Sequence, residues 1–256
     1  MKESKRKIIH YLCDMAIKNW FKDWFNTKYY HTLYKHRDDQ EASVFIKNLI
    51  DFLKIPAQSQ VLDLACGKGR HSKTLHELGM EVTGVDLSEE SIQAAKSHEQ
   101  KGLQFEVHDM REPLKQRYDV IFNLFTSFGY FDTHDENDKV IKSIKNGLLP
   151  NGLLVIDFMN AHLAIKNLIP FETKIIDGIP FNLTKTYDGM HIFKDIEFED
   201  QGQSFHFTER VQALKLADFE QLLTQNNMEI LHIFGNFQLE EFDEKTSERL
   251  IIVAKN

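Results

Sequence analysis

The middle of the chain alternates short apolar runs with longer amphipathic stretches. Runs rich in Val, Ile, Leu and Phe are typical of strands that are buried on both faces of a sheet. The stretches between them repeat apolar residues at intervals of three and four, which predicts helices. The predicted strands are 61–65, 82–85, 105–107, 120–124 and 153–158, and the predicted helices include 70–78, a helix capped by Ser88 and 140–148. This order predicts a doubly wound α/β fold with a mostly parallel sheet.

The pattern changes between residues 171 and 211, where the chain becomes extended throughout. Turn signals at Asp188-Gly189 and Gln201-Gly202 divide this region, and alternate residues from 192 to 198 fall on one face. We therefore predict a small antiparallel β insertion over 171–211.

The end of the chain contains an amphipathic helix over 218–225 and two more strands, 228–234 and 250–254. Because no helix lies between these two strands, they predict an antiparallel pair at one edge of the sheet. Pro150-Asn151-Gly152 predicts a turn before the fifth strand.

Aromatic residues crowd the first part of the chain, and a helical pattern from Phe45 to Leu53 ends before Pro56. We therefore divide the chain into an N-terminal helical cap over 1–54, a main domain over 55–170 and 212–256, and the insertion over 171–211. The tryptophans near the start of the cap are expected to serve packing rather than a site.

Composition excludes several classes of protein. With 42% hydrophobic and 27% charged residues the chain is globular, and a formal charge of −8 disfavours a protein that mainly grips nucleic acid. The two cysteines, Cys13 and Cys66, form no disulfide framework and no metal-ligand spacing, so no metal is expected. Because no apolar run has the length of a membrane span and no convincing signal peptide is present, we expect a cytoplasmic protein.

The stretch VLDLACGKGRHS, residues 61–72, breaks a buried strand with two glycines. Bare backbone at the carboxyl end of such a strand lets a ligand contact the main chain. The acid Asp86 follows 19 residues after Gly67, a spacing that suits a carboxylate on the hydroxyls of a ribose. A dinucleotide motif would have a third glycine where Ser72 stands. The residues thus favour a nucleoside-containing cofactor without identifying it.

The same motifs resemble the class I S-adenosylmethionine-dependent methyltransferases. VLDLACGKG is similar to their first motif and VTGVDLS to their second, and EVHDMR, YDVIFNLFTSFGYF and LLPNGLLVID are similar to later motifs in the same order. The resemblance covers about residues 55–160 and, less strongly, 228–255. It implies a Rossmann-like sheet of seven strands whose last strand is antiparallel, S-adenosylmethionine as cofactor, and methyl transfer to a nitrogen or oxygen by in-line displacement.

The resemblance also implies roles for individual residues. Asp63, Ala65 and the backbone of Gly67 and Gly69 would surround the methionine part of the cofactor. Asp86 would hold the ribose, Leu87 would pack on the adenine, Asp109 and the Met110 N–H would contact its edge, and the Asn123 carbonyl would accept from the ammonium. In the N-terminal segment YYHTLYKHRDDQEAS, Tyr29, Tyr34 and Arg37 would close over the cofactor, with Arg37 on its carboxylate.

Structural roles compete with several of these assignments. Asp109 is equally suited to cap its own backbone in a loop, and Asp63 to be a buried acid that main-chain donors satisfy. The tyrosine segment is equally typical of a surface helix whose aromatic residues dock on a core.

The acceptor pocket is expected beside the fourth strand, lined by Phe125, Phe128 and Tyr130, with the insertion as a lid and Arg210 at its end. Among the histidines, His31, His71, His134 and His206 are candidates for a base, but none is singled out and no catalytic residue is assigned. A small-molecule acceptor is favoured over nucleic acid, since the position after the fourth strand has NLFT where base-modifying methyltransferases have N/D-P-P-Y. Nitrogen and oxygen acceptors remain equally open.

Three other functions fit parts of the pattern. They are a nucleic-acid methyltransferase, a scaffold that binds the cofactor without catalysis, and a dinucleotide-dependent dehydrogenase. Ser72 and the closing strand pair disfavour the last.

Overall fold

The computed structural model describes residues 24–35 and 39–256. They divide into two compact units. The larger contains 39–167 and 212–256, and the smaller contains 24–35 and 168–211.

A seven-stranded sheet forms the centre of the larger unit. Its strands are β1 (Gln60–Leu64), β2 (Glu81–Asp86), β3 (Leu103–Val107), β4 (Tyr118–Asn123), β5 (Leu148–Met159), β10 (Glu229–Phe234) and β11 (Arg249–Lys255). They lie in the order β10-β11-β5-β4-β1-β2-β3 across the sheet. Strands β1 to β5 are parallel, whereas β11 pairs antiparallel with both β5 and β10. The predicted fold is confirmed, including the antiparallel last strand.

The helices begin where their capping residues allow. Ser88 and Thr133 accept hydrogen bonds from backbone N–H groups of the first turns of α4 and α5, as N-cap side chains do. The described helices are α1 (Lys28–Leu33), α2 (Asp39–Leu53), α3 (Arg70–Glu77), α4 (Glu89–Ala95), α5 (His134–Asn146), α6 (Ala161–Lys166) and α7 (Leu216–Gln225). No helix in this part of the chain is long and apolar enough to cross a membrane.

Helix α2 joins the core of the larger unit. Phe45, Ile46 and Leu49 are fully buried there, in one cluster with Val61 of β1 and Leu75 of α3. For this reason the boundary between the two units falls near residue 37, not at the end of this helix.

Two local predictions differ from the structure. Pro150-Asn151-Gly152 is not a turn between elements but a bulge inside β5, where the partners of Tyr118 and Val120 are Leu148 and Leu153. Asn151 adopts a φ of 64° there, so the turn-forming residues do bend the chain without ending the strand. The short helix α6, capped by Asn160, was not predicted.

The smaller unit contains a four-stranded sheet in the order β6-β7-β8-β9, which confirms the predicted β insertion. Its strands are β6 (Phe171–Ile176), β7 (Ile179–Tyr187), β8 (His191–Asp200) and β9 (Gln203–Gln212). The side chains of Ile196 and Phe198 are buried, as their shared face predicts, and Tyr29 of α1 packs on Phe198 at 4.6 Å between ring centroids. The sequence pattern missed the turn at Asp177-Gly178.

Candidate active site

The order of the large sheet reverses direction between β1 and β4. From β1 the chain continues outward to β2 and β3, whereas β4 and β5 lie on the opposite side of β1. The loops that leave the carboxyl ends of β1 and β4 therefore diverge, and a crevice at such a point is where ligands bind in open α/β sheets.

The loop after β1 depends on backbone conformations that side chains disfavour. Ala65, Gly67 and Gly69 have φ angles of 66°, 56° and 82°, all in the left-handed region. The loop is held by the Cys66 N–H, which donates to the Val85 carbonyl oxygen of β2 at 2.9 Å. Gly69 then caps the N-terminus of α3.

The two glycines of this loop are required for different reasons. A Cβ on Gly69 would lie 2.6 Å from the Phe105 ring, and so would a Cβ on Gly84 of β2, so both are bare because the ring packs against them. A Cβ on Gly67 would meet no heavy atom of the described residues within 4 Å. Of the two glycines in this loop, Gly67 is the one whose left-handed backbone faces open space, which leaves its peptide accessible to a ligand.

Asp86 ends β2 and bonds to this loop. Its Oδ2 accepts from the Gly67 N–H at 2.8 Å, and its Oδ1 accepts from the Ser88 N–H at 2.8 Å. Burial raises the pKa of Asp86, and these N–H groups act in the opposite direction. Each oxygen has a second lone pair, so the carboxylate retains capacity to accept from two hydroxyl groups. Leu87 follows, partly exposed.

Asp63 lies below the same loop and is 1% exposed. The Ser72 hydroxyl donates to its Oδ2 at 2.6 Å. Burial raises the pKa of Asp63 to about 6, opposed by the bond from Ser72 and reinforced by the negative charge of Asp86. Ser72 thus satisfies a buried acid at the place where a dinucleotide motif has its third glycine. The sequence pattern did not predict this hydrogen bond. The signal that could have indicated it was a polar residue nine positions after a buried acid.

Asp109 follows β3 and is held by Arg111. The guanidinium donates to both carboxylate oxygens, at 2.6 Å from Nη2, and Oδ1 also accepts from the Arg111 N–H at 3.0 Å. This is the backbone-capping arrangement named as the alternative role. Burial acts to raise the pKa of Asp109, but the bonds from Arg111 outweigh it and the pKa lies below its usual value. Arg111 also donates to Glu136 at 2.8 Å, and Met110 is partly exposed.

Asn123 ends β4 and spans the point where the sheet reverses. Its Nδ2 donates to the Leu64 carbonyl oxygen of β1 at 3.0 Å. The side chain is fully buried, and its Oδ1 has no hydrogen-bond partner within the described ranges. An orphaned buried acceptor next to a crevice indicates a missing donor.

The loop after β4 carries the predicted pocket residues. Phe125 is partly buried and stacks on His71 of α3, with 4.7 Å between ring centroids and 21° between planes. Phe128 is fully buried and packs on Phe219 of α7, so it supports the loop from the core. Tyr130 is partly exposed.

Tyr29, Tyr34 and Arg210 belong to the smaller unit. Tyr29 donates to Asp200 at 2.8 Å, and Tyr34 donates to Glu209 at 2.6 Å. Burial lowers the pKa of Arg210, which is partly exposed. Arg37 lies outside the described residues.

The features of the larger unit fit the S-adenosylmethionine that the sequence motifs imply. Gly67 offers bare peptide, Asp86 offers two hydroxyl-accepting oxygens, and the Asn123 Oδ1 lacks a donor. The cofactor presents a nucleoside with two ribose hydroxyls and an amino acid end with an ammonium group, which are the complementary chemical groups.

Known proteins are similar to this chain in sequence and in fold. A family model described as a methyltransferase domain matches residues 55–195. The Bacillus subtilis protein YqeM is 34% identical over 123 residues, which cover 46% of this chain and 49% of that protein. A glycine/sarcosine N-methyltransferase of Aphanothece halophytica is 27% identical over 230 residues, which cover 86% of this chain and 83% of that enzyme.

The chain thus spans about half the length of YqeM but most of the Aphanothece enzyme. Its fold is shared with the crystal structure of an S-adenosylmethionine-dependent methyltransferase from Clostridium acetobutylicum, with a TM-score of 0.76 at 20% identity over 89% of this chain and 95% of that one. Because the family model matches more than half of the residues, the chain belongs to the class I S-adenosylmethionine-dependent methyltransferases.

Proposed function

We propose that this methyltransferase acts on the amine nitrogen of a small molecule that also carries a carboxylate or hydroxyl groups. The support for nitrogen is the similarity to a glycine/sarcosine N-methyltransferase, which extends over most of both chains. The observation that carries cofactor use at this site is Asp86, whose carboxylate lies against the open backbone of Gly67. The expected compartment is the cytoplasm.

Asp86 is the residue on which binding depends most in this proposal. We expect both of its oxygens to accept from the ribose hydroxyls while they keep their bonds to Gly67 and Ser88. A hydrogen bond to a charged group contributes roughly 1.5–3 kcal/mol. Leu87 would cover one face of the adenine.

Other residues are proposed to contact the adenine and the amino acid part of the cofactor. Asp109, fixed by Arg111, would accept from the adenine amino group while the Met110 N–H meets the ring. The Asn123 main-chain carbonyl and Asp63 would face the ammonium, with Ala65, Gly67 and Gly69 beside them. The orphaned Oδ1 of Asn123 is a further acceptor for the same group.

The cofactor supplies a methyl group on a positively charged sulfur. The contribution of this chain is to align an acceptor nitrogen in line with that methyl and to exclude water, because little covalent chemistry remains for side chains. Phe125 and His71 would form one wall, with Tyr130 nearby. The attacking nitrogen needs its lone pair, so an acceptor amine that is protonated in solution must first lose a proton. The new N–C bond then forms as the S–C bond breaks, S-adenosylhomocysteine leaves, and the methylated ammonium releases a further proton. No catalytic base is assigned to this step.

The smaller unit is proposed to recognise the acceptor. We expect 171–211 to act as the lid, with Arg210 directed to an anionic or polar group of the acceptor. Tyr29, Tyr34 and Arg37 would close over the cofactor, which requires Tyr34 to share or exchange its bond with Glu209.

Replacement of Asp86 tests the cofactor site. We expect Asp86→Ala to weaken binding of S-adenosylhomocysteine at least about 10-fold in calorimetry, because the loss of even one hydrogen bond to the carboxylate costs roughly 1.5–3 kcal/mol. Asp119→Ala is the matched control, since Asp119 also accepts from a backbone N–H, that of Gln60 at 2.8 Å, but at the start of β1. Unchanged affinity in Asp86→Ala would refute the ribose assignment.

Transfer of a labelled methyl group tests the acceptor. We expect labelled product from glycine, sarcosine or an amino sugar, and none from a phenol, DNA or RNA. Product from a phenol alone would overturn the nitrogen assignment. Cofactor binding without product from any amine would favour the scaffold alternative.

A further inference from the structure

Asp157 of β5 and Arg249 of β11 hold the loop after β4 in a strained conformation. Phe125 and Thr126 have φ angles of 57° and 61°, so two successive residues with side chains occupy the left-handed region. Such conformations cost of order 1–3 kcal/mol each and persist where the surroundings enforce them. The loop after β1 has glycine at two of its three left-handed positions, with Ala65 at the third.

Asp157 of β5 holds the backbone of both strained residues. Its Oδ2 accepts from the Phe125 N–H at 2.9 Å, and its main-chain oxygen accepts from the Thr126 N–H at 2.9 Å. Asp157 is completely buried, so this carboxylate needs a charged partner. Arg249 of β11 supplies it, with Nε donating to Oδ1 at 2.7 Å.

Arg249 also reaches the loop directly. Its Nη2 donates to the Thr126 hydroxyl at 3.0 Å, so one planar guanidinium bonds both Asp157 and the strained residue. The guanidinium carbon lies 5.7 Å from the centroid of the Phe237 ring, and that ring lies 5.4 Å from the Phe125 ring. We name Asp157 and Arg249 together the Asp157–Arg249 clamp.

We propose that the Asp157–Arg249 clamp positions the methyl-transfer site by holding Phe125 in the conformation that stacks on His71. The stack joins the loop after β4 to the first turn of α3, the helix that follows the loop after β1, and both loops border the crevice where the sheet reverses. Asp157 and Arg249 are positioning residues, since they act through Phe125 and Thr126. The proposal rests on the proposed use of this crevice for the cofactor.

The test is whether glycine at position 126, which adopts the left-handed conformation without support, removes the need for Arg249. Arg249→Lys keeps a positive charge near Asp157 but cannot donate in a planar fork to both partners. We expect the dissociation constant for S-adenosylhomocysteine to rise about 10-fold, on the scale of the strain that is no longer supported. Adding Thr126→Gly is expected to restore it to within about threefold of the original, because glycine adopts this φ without cost.

Asn151→Gly in the Arg249→Lys background is the matched control. Asn151 has a φ of 64°, but it lies in the bulge of β5 at the opposite end of that strand. No rescue is expected there. Equal rescue by both glycines, no rescue by Thr126→Gly, or unchanged affinity in Arg249→Lys would each overturn the proposal.

A second measurement applies if Arg249→Lys does not fold. In the original protein the amides of Phe125 and Thr126 should exchange with deuterium as slowly as the amide of Leu62 in β1, and faster exchange would overturn the clamp. Both measurements use no acceptor. Failure of methyl transfer to amines would thus refute the proposed acceptor and leave the result for the clamp intact.

Discussion

The loops after β1 and β4 are two solutions to one geometric requirement. Each leaves the carboxyl end of a central strand through the left-handed region of backbone space. After β1 the chain uses Gly67 and Gly69, which adopt it freely, at two of three left-handed positions, and Ala65 at the third. After β4 it uses Phe125 and Thr126, which are held there by hydrogen bonds to Asp157 and Arg249.

The difference concerns where the information is encoded. A glycine loop carries its conformation in its own residues, so it is visible as a motif. The loop after β4 keeps two side chains at the site, at the cost of support from β5 and β11, which lie far away in sequence. A wall that presents an aromatic ring to the crevice needs the second solution, because glycine has no side chain to present.

The largest effect is expected from Gly69→Ala, which tests whether this glycine serves packing. Its Cβ would lie 2.6 Å from the Phe105 ring. Overpacking and a left-handed backbone together should lower the free energy of unfolding by about 3–4 kcal/mol in urea titration. In the double variant Gly69→Ala/Phe105→Leu, the decrease in the free energy of unfolding should be smaller than the sum of the decreases in the two single variants. Additive losses would contradict the packing role.

Asp63→Asn is expected to raise stability at high pH. The pKa of Asp63 is about 6 in the fold against a usual 3.8, so the folded state holds the proton more tightly. Stability contributed by the protonated form is therefore complete below about pH 4 and lost as the pH rises to about 6. Asparagine should gain about 2–3 kcal/mol at pH 8 and nothing at pH 4, while cofactor affinity falls.

Urea titrations at the two pH values check this prediction. Ser72→Ala is the control, since it removes the donor to Asp63 and leaves the charge, so it should lose stability at pH 8. An equal effect of Asp63→Asn on the free energy of unfolding at both pH values would show that the pKa of Asp63 is not raised in the folded state.

Gly67→Ala separates binding from folding in the first loop. Its Cβ enters open space, so only the left-handed backbone should cost stability, about 1–2 kcal/mol. Cofactor affinity should fall at the same time, because the methyl group covers the peptide. Gly178→Ala is the matched control, with a φ of 80° and open space in the small sheet. It should lose similar stability and keep its affinity.

The smallest effect is expected at Thr126, where the usual ranking of alanine and glycine should reverse. Both replacements lose the bond from Arg249, but only glycine relieves the φ of 61°. Thr126→Gly should therefore be about 1 kcal/mol more stable than Thr126→Ala in urea titration. A more stable alanine variant would mean that the loop after β4 is not strained.

The strands and most helices were predictable because their signals are local. Buried runs such as Val61–Leu64 and the cap Ser88 depend on residues close in sequence. The turn predicted at Pro150-Asn151-Gly152 was wrong because β5 pairs with β4 on both sides of it, at Leu148 and at Leu153. The three residues do bend the chain, but as a bulge inside β5. A bulge is defined by the pairing of two strands, so the sequence of one strand does not show it.

The sequence predicted that Gly67 and Asp86 contact one ligand, Asp86 through the hydroxyls of its ribose. The structure has a 2.8 Å hydrogen bond from the Gly67 N–H to Asp86, which the spacing had not predicted. The reason for Gly69 lay in Phe105, on a strand two positions away, and no pattern along the chain encodes that distance.

The sequence by itself determined the alternation of strands and helices, the glycine loop and the acid that follows it, because glycine and buried apolar runs act through their own backbone. The tertiary structure alone decided which glycine has open space beside its peptide and which packs against a neighbouring ring. It also decided how Phe125 and Thr126 keep a conformation that their side chains oppose. The physical reason is that steric contact and the pairing of buried charge depend on proximity in space, which Asp157 and Arg249 reach only when β5 and β11 pair.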